Sequence, residues 1–148
     1  MKNYDEWKQR REAKKYFRSN NQFILNGKDY AKLIPCGLIA AIALGALLAA
    51  FGALIRYFTL SFCYIFFGYI MANLNKRISN KEGSQLGIFS GVMVVIAVYF
   101  EHVISLMISY NVSLGSAIPY ALNSFLHMSL ISWIFLLAGV YLAYMNCQ

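Results

Sequence analysis

Four apolar stretches, at about residues 33–54, 58–74, 86–107 and 125–145, follow one another with little between them. Crossing the ~30 Å hydrocarbon layer of a bilayer takes about 20 apolar residues as helix. Lipid offers the backbone no hydrogen bonds, and a helix satisfies every N–H and C=O within its own segment. The expected fold is therefore all-α: a polytopic membrane protein, built as a compact four-transmembrane-helix bundle of two helical hairpins. The chain's 148 residues leave room for one domain, so residues 33–148 are read as the transmembrane domain and 1–32 as a basic segment preceding it.

Charge sets the expected orientation. Residues 1–32 hold nine Lys/Arg against four acids, and Lys76, Arg77 and Lys81 follow the second stretch. Twelve of the 13 Lys/Arg thus fall on one side if both termini are cytoplasmic. Lys and Arg concentrate on that side of membrane proteins. The same asymmetry explains the net charge of +7 without nucleic acid, for which no binding motif is present. The basic segment is too long for a signal peptide, and no cleavage motif follows the span-length apolar run. Cys36, Cys63 and Cys147 form no CxxC pair and are expected as free thiols. The bias toward Lys, Asn, Ile and Phe suits a bacterial inner (cytoplasmic) membrane.

Residues 2–20 favour a charged, solvated helix whose aromatics share no face. Asn26-Gly27 is a turn signal, so a small hairpin or kinked linker is expected over 23–32. Arg56 is the only charge between the first two stretches, which predicts a tight helical hairpin. Gly115 and Pro119 argue against one continuous helix over 109–124; that stretch is expected at the membrane interface, held by Tyr110 and Tyr120.

Helices in lipid associate largely through small residues that let backbones approach. The first stretch carries a ridge at four-residue spacing: Gly37, Ala41, Gly45, Ala49 and Ala53. The second carries Gly68 and Ala72, with Ser61 on the same face. The third carries Gly87 and Gly91. The fourth carries Gly139 and Ala143, in line with Ser129, Ser132 and Leu136. Four of four stretches so marked predict a closely packed bundle.

Glu101 is the one acid inside a span. Measured from Leu86 at 1.5 Å per residue it lies ~22 Å up, roughly 8 Å below the outer surface. An ionised carboxylate at mid-span costs about 2.5–3.5 kcal/mol, and less near the edge. At 100° per residue Glu101 shares a side with Gly87, Ser90, Gly91, Val94, Val98 and Ser105, so it is expected to face protein. Arg56, the sole outer cation, is its expected partner, either as a staple or as part of a proton or ligand site. His102 borders the same stripe. His127 lies near the same depth but opposite Ser129 and Ser132, which places it at the aqueous edge. Adjacent Glu and His point 100° apart, which is not a metal-ligand spacing, and no metal or other cofactor is expected. Asn73, Asn75 and Asn146 are read as helix-end residues.

No nucleophile–base pair, P-loop, GxSxG or HExxH motif occurs. One acid and two His are a thin set for catalysis, so a non-enzymatic role is expected. The favoured class is a membrane-resident interaction protein: an accessory subunit, a regulator, or a toxin-immunity or exclusion factor. It would act on a membrane-protein partner or through self-association. In size, orientation and span count the chain is similar to the immunity proteins of pore-forming bacteriocins; the likeness is architectural, and no motif carries it. The alternative is a subunit of an oligomeric channel or small transporter using Glu101.

Overall fold

The structure is a computed structural model and describes residues 6–13, 16, 23–54 and 60–148. Residues 6–13 are helical and exposed, with the Arg11 guanidinium 4.2 Å above the Trp7 ring. The main body is helical throughout: α1 (Gly27–Leu54), a single 3₁₀ turn (Leu60–Phe62), α2 (Cys63–Ser79), α3 (Ser84–Tyr110), α4 (Leu114–Leu126) and α5 (Leu130–Cys147). Among the described residues α1, α3 and α5 are long and apolar enough to cross a membrane, three helices rather than four. α2 has 17 residues and carries Lys76 and Arg77 in its last turn. Only 33, 33 and 28 % of the apolar windows of α1, α3 and α5 are buried inside the bundle. The rest, including Ile39, Phe51, Ile88 and Ile131, forms an apolar exterior. Lipid covers such a surface at no cost, whereas water does not.

Two local expectations are corrected, and a third holds with its break moved. Asn26-Gly27 starts a helix rather than a hairpin: Asp29 N–H and Tyr30 N–H donate to the Asn26 carbonyl at 2.9 and 3.2 Å. Asn26 N–H in turn donates to Asp29 Oδ2 at 2.8 Å. The Asp29 carboxylate thus reaches back to the N–H that precedes the helix, the side-chain half of a capping box. Residues 109–124 are, as expected, not one continuous helix, but the break falls at 111–113, between Tyr110 and Leu114, and Pro119 lies inside α4. Pro119 removes one N–H, but Ala117 and Ala121, four apart, bury against Val103 of α3. The Tyr99 hydroxyl also donates to the Ile118 carbonyl at 3.0 Å. Burial outweighs the lost bond. Finally, Phe125 belongs to α4, and the last helix begins at Leu130, where Ser129 caps it by accepting from Ser132 N–H at 3.2 Å.

The two-hairpin arrangement is also corrected. α3 is central and touches α1, α2, α4 and α5, while α1 packs chiefly on α3 and α2 chiefly on α5. Small residues decide this. A β-carbon on Gly45 would lie 2.7 Å from the Ala97 carbonyl oxygen and 2.8 Å from Glu101 N, so α1 rests backbone-on-backbone against α3. Gly68 and Gly139 face each other across α2 and α5 in the same way, each against the other helix's backbone. Gly87 abuts Tyr144, Gly91 abuts Val140 and Gly37 abuts the flexible Met93 side chain. Ala41, Ala49, Ala72 and Ala143 are buried alongside them. Ala53 is exposed.

At the loop end of the bundle the connections are polar. Asn80 closes α2 in the left-handed region (φ 51°), and Gly83 (φ 115°) donates its N–H to the Cys147 carbonyl. Lys81 reaches both Asp29 Oδ2 at 2.8 Å and the Ile24 carbonyl at 2.7 Å. Burial alone would raise the Asp29 carboxyl, but the Lys81 ammonium and the Asn26 N–H outweigh it and hold the group below the usual carboxylate range. Asn75, read from sequence as a helix-end residue, is wholly buried and donates to Ser90 Oγ at 2.9 Å. The Ser90 hydroxyl lies 3.5 Å from Cys147 Sγ. All three cysteines are free.

Candidate functional site

The opposite end of the bundle brings Tyr64, Glu101 and His102 together. Tyr64 sits in the first turn of α2, one turn before Gly68, and the Gly68–Gly139 approach seats that turn against α5. Glu101 and His102 lie on α3 where Gly45 of α1 presses on its backbone. The result is a carboxylate between a phenol and an imidazole. Tyr64 OH donates to Glu101 Oε2 at 3.2 Å, and His102 Nδ1 lies 2.8 Å from the same oxygen. The Glu101 and His102 side chains are 17 and 15 % exposed.

The imidazole tautomer follows from its neighbours. His102 Nδ1 also lies 3.0 Å from the Val98 carbonyl, so both groups around it are acceptors. Nδ1 therefore carries a proton, and Nε2 is the nitrogen left for exchange. Phe125 of α4 walls the ring, edge-on at 6.0 Å between centroids, and itself packs edge-on against Tyr99 and Trp133. Beside Tyr64 runs a row of hydroxyls. Ser61 is its neighbour and lies 2.8 Å from Ser132 Oγ, which lies 2.9 Å from Ser129 Oγ. The row joins the 3₁₀ turn and α2 to α5, while Tyr64–Glu101 joins α2 to α3. Such a set can hold a proton within the protein and cross-link three helices.

Of the residues singled out from sequence, Glu101 and His102 come together here. Arg56 lies outside the described residues, so its pairing with Glu101 does too. His127 stands apart: it is exposed, closes α4, and places Nδ1 2.9 Å from the Asn123 carbonyl of its own turn. Tyr64 was missed. Its position was readable, because 61, 64, 68 and 72 fall on one helical face and three of those residues were already marked as the buried, small side of the stretch. Among the described residues no three His, Cys, Asp or Glu side chains converge to hold a metal ion. No family model, curated protein or solved structure matches the chain.

Proposed function

We propose that this chain is a multi-pass protein of a bacterial inner membrane that acts through contact with another membrane protein, as an accessory subunit, a regulator or a toxin-immunity factor, rather than by catalysis. The observation that carries the reading is the close packing of the described helices. Helices meet backbone-on-backbone at Gly45–Ala97 and Gly68–Gly139, and side chains fill the space between. A bundle closed in that way has its outer surfaces to work with. In this reading α2 makes a fourth crossing, since with the 3₁₀ turn before it the helical run spans the 20 residues Leu60–Ser79, ~30 Å at 1.5 Å per residue.

Both termini and the α2–α3 loop then face the cytoplasm, and the Glu101 end faces out, an orientation supported by the twelve Lys/Arg at one side. In a cysteine-free background, a single cysteine at position 113 should react with an impermeant maleimide added outside intact cells, and one at position 80 should not. Labelling at 80 with none at 113 would invert the orientation.

The Glu101–His102–Tyr64 set is the specific observation behind a second reading, a subunit of an oligomeric channel or small transporter. Reconstitution into vesicles with an entrapped pH dye separates the two. The interaction reading expects no proton flux under an imposed gradient, together with one discrete heterologous adduct when exposed outer positions are photo-cross-linked in cells. Flux that Glu101→Gln abolishes would replace it with the transport reading.

A further inference from the structure

At the loop end, α2 and the turn after it enclose a cleft of about 480 Å³ lined by Asn73, Lys76, Arg77, Asn80, Lys81 and Glu82. Three cations and one acid face it. Two cations are engaged: Lys76 lies 2.7 Å from Glu82 Oε1 and Lys81 lies 2.8 Å from Asp29 Oδ2. Arg77 is exposed and forms no ion pair among the described residues. The cleft therefore keeps one uncompensated guanidinium, with the Asn73 and Asn80 amides on its wall.

The helix below the cleft has a matching pattern. Phe66, Ile70, Asn73 and Arg77 stand at i, i+4, i+7 and i+11, one face of α2 that runs from apolar to amide to cation. Phe66 and Ile70 are 58 and 41 % exposed, and Tyr69 beside them is 57 % exposed. An anionic phospholipid has the same order of parts: acyl chain, ester level, phosphate. We infer that this cleft is a binding site for the headgroup of an anionic phospholipid, whose chains lie along Phe66 and Ile70.

Arg77 supplies a planar fork of N–H donors that fits two phosphate oxygens. Basic pockets at the cytoplasmic ends of membrane helices suit such headgroups. The inference needs the bilayer placement of the bundle and is independent of the partner reading.

Native mass spectrometry of the full chain released from detergent micelles tests it, with phosphatidylglycerol, phosphatidylcholine or inorganic phosphate added in turn. Phosphatidylglycerol should remain bound in preference to phosphatidylcholine. Arg77→Gln should weaken its binding roughly tenfold, the size of one lost charge-assisted contact. Lys28→Gln removes an exposed charge at the same end that does not line the cleft, and should change binding by no more than about twofold. Arg77 is exposed, so its replacement leaves the fold intact. Equal losses in the two variants would mean diffuse attraction and overturn the site. Equal retention of phosphatidylcholine, or Arg77-dependent binding of inorganic phosphate without phosphatidylglycerol, would overturn the lipid. A chain monodisperse in buffer without detergent would remove the bilayer placement itself.

Discussion

Gly68→Leu should prevent α2 from docking on α5 and cost the bundle more than any other glycine substitution in it. A β-carbon at position 68 would collide with the Gly139 carbonyl, and one at 139 with the Tyr64 carbonyl. Neither neighbour is a side chain that can rotate away, so the helices must separate along their length. Overpacking a core costs about 1–3 kcal/mol, occasionally more, and a clash with backbone on both sides belongs at or above the top of that range. The loss also propagates. Ser61–Ser132 and Tyr64–Glu101 both depend on α2 lying where the glycine pair puts it.

Other glycines give the scale. Gly91→Leu meets Val140 Cγ1 at 3.0 Å, a side-chain atom beside an open apolar groove, and should cost less. Gly52→Ala meets nothing within 4 Å and should be neutral or slightly stabilising, since alanine is the better helix former by about 1 kcal/mol. Thermal unfolding of the three variants in one detergent should rank them 68, 91, 52 in descending loss. A Gly68→Leu protein as stable as the parent would mean that α2 and α5 do not meet there.

That ranking shows where sequence reasoning stops. Spacing alone marks Gly45, Gly68 and Gly91 equally as small residues on one face of a helix. It does not say which helix each face meets, because periodicity is a property of one segment and pairing is a property of two. Chain order favoured α1 with α2, joined by a short linker. Contact geometry instead puts α1 on α3 and α2 on α5. Pro119 illustrates a displaced break: 109–124 is not one helix, but the interruption falls at 111–113 and not at the proline. Its local penalty is legible from sequence, but the burial of Ala117 and Ala121 on Val103, which overrides it, exists only in three dimensions. Asn75 is similar: near Lys76 and Arg77 it reads as a solvated end, yet it is held inside by Ser90 of α3. Glu101 was legible because a carboxylate in an apolar run is costly wherever it points, and its stripe gave the side. The phenol that meets it from α2 was not, because a charge invites a search for the opposite charge and Tyr64 is neutral.

Glu101→Gln carries the second large effect, and Tyr64→Phe separates its causes. The carboxylate receives Tyr64 OH from α2 and faces His102 Nδ1 on its own helix, in a pocket where its side chain is 17 % exposed. Hydrogen bonds to a charged group contribute about 1.5–3 kcal/mol each, and a buried donor left unpaired costs about 1–3 kcal/mol. Glutamine keeps the size, removes the charge and offers the phenol a weaker acceptor, so a loss of about 1–3 kcal/mol is expected. Tyr64→Phe leaves the imidazole on the carboxylate and should cost less. If the pair joins α2 to α3, the double variant should lose less than the two single losses added, with a coupling of about 0.5–3 kcal/mol. Strict additivity would mean that the contact contributes nothing to stability. Arg56→Gln completes the cycle. A coupling between Arg56 and Glu101 as large as that with Tyr64 would make the arginine a third member of the site. Near-zero coupling would leave the carboxylate to the phenol and the imidazole.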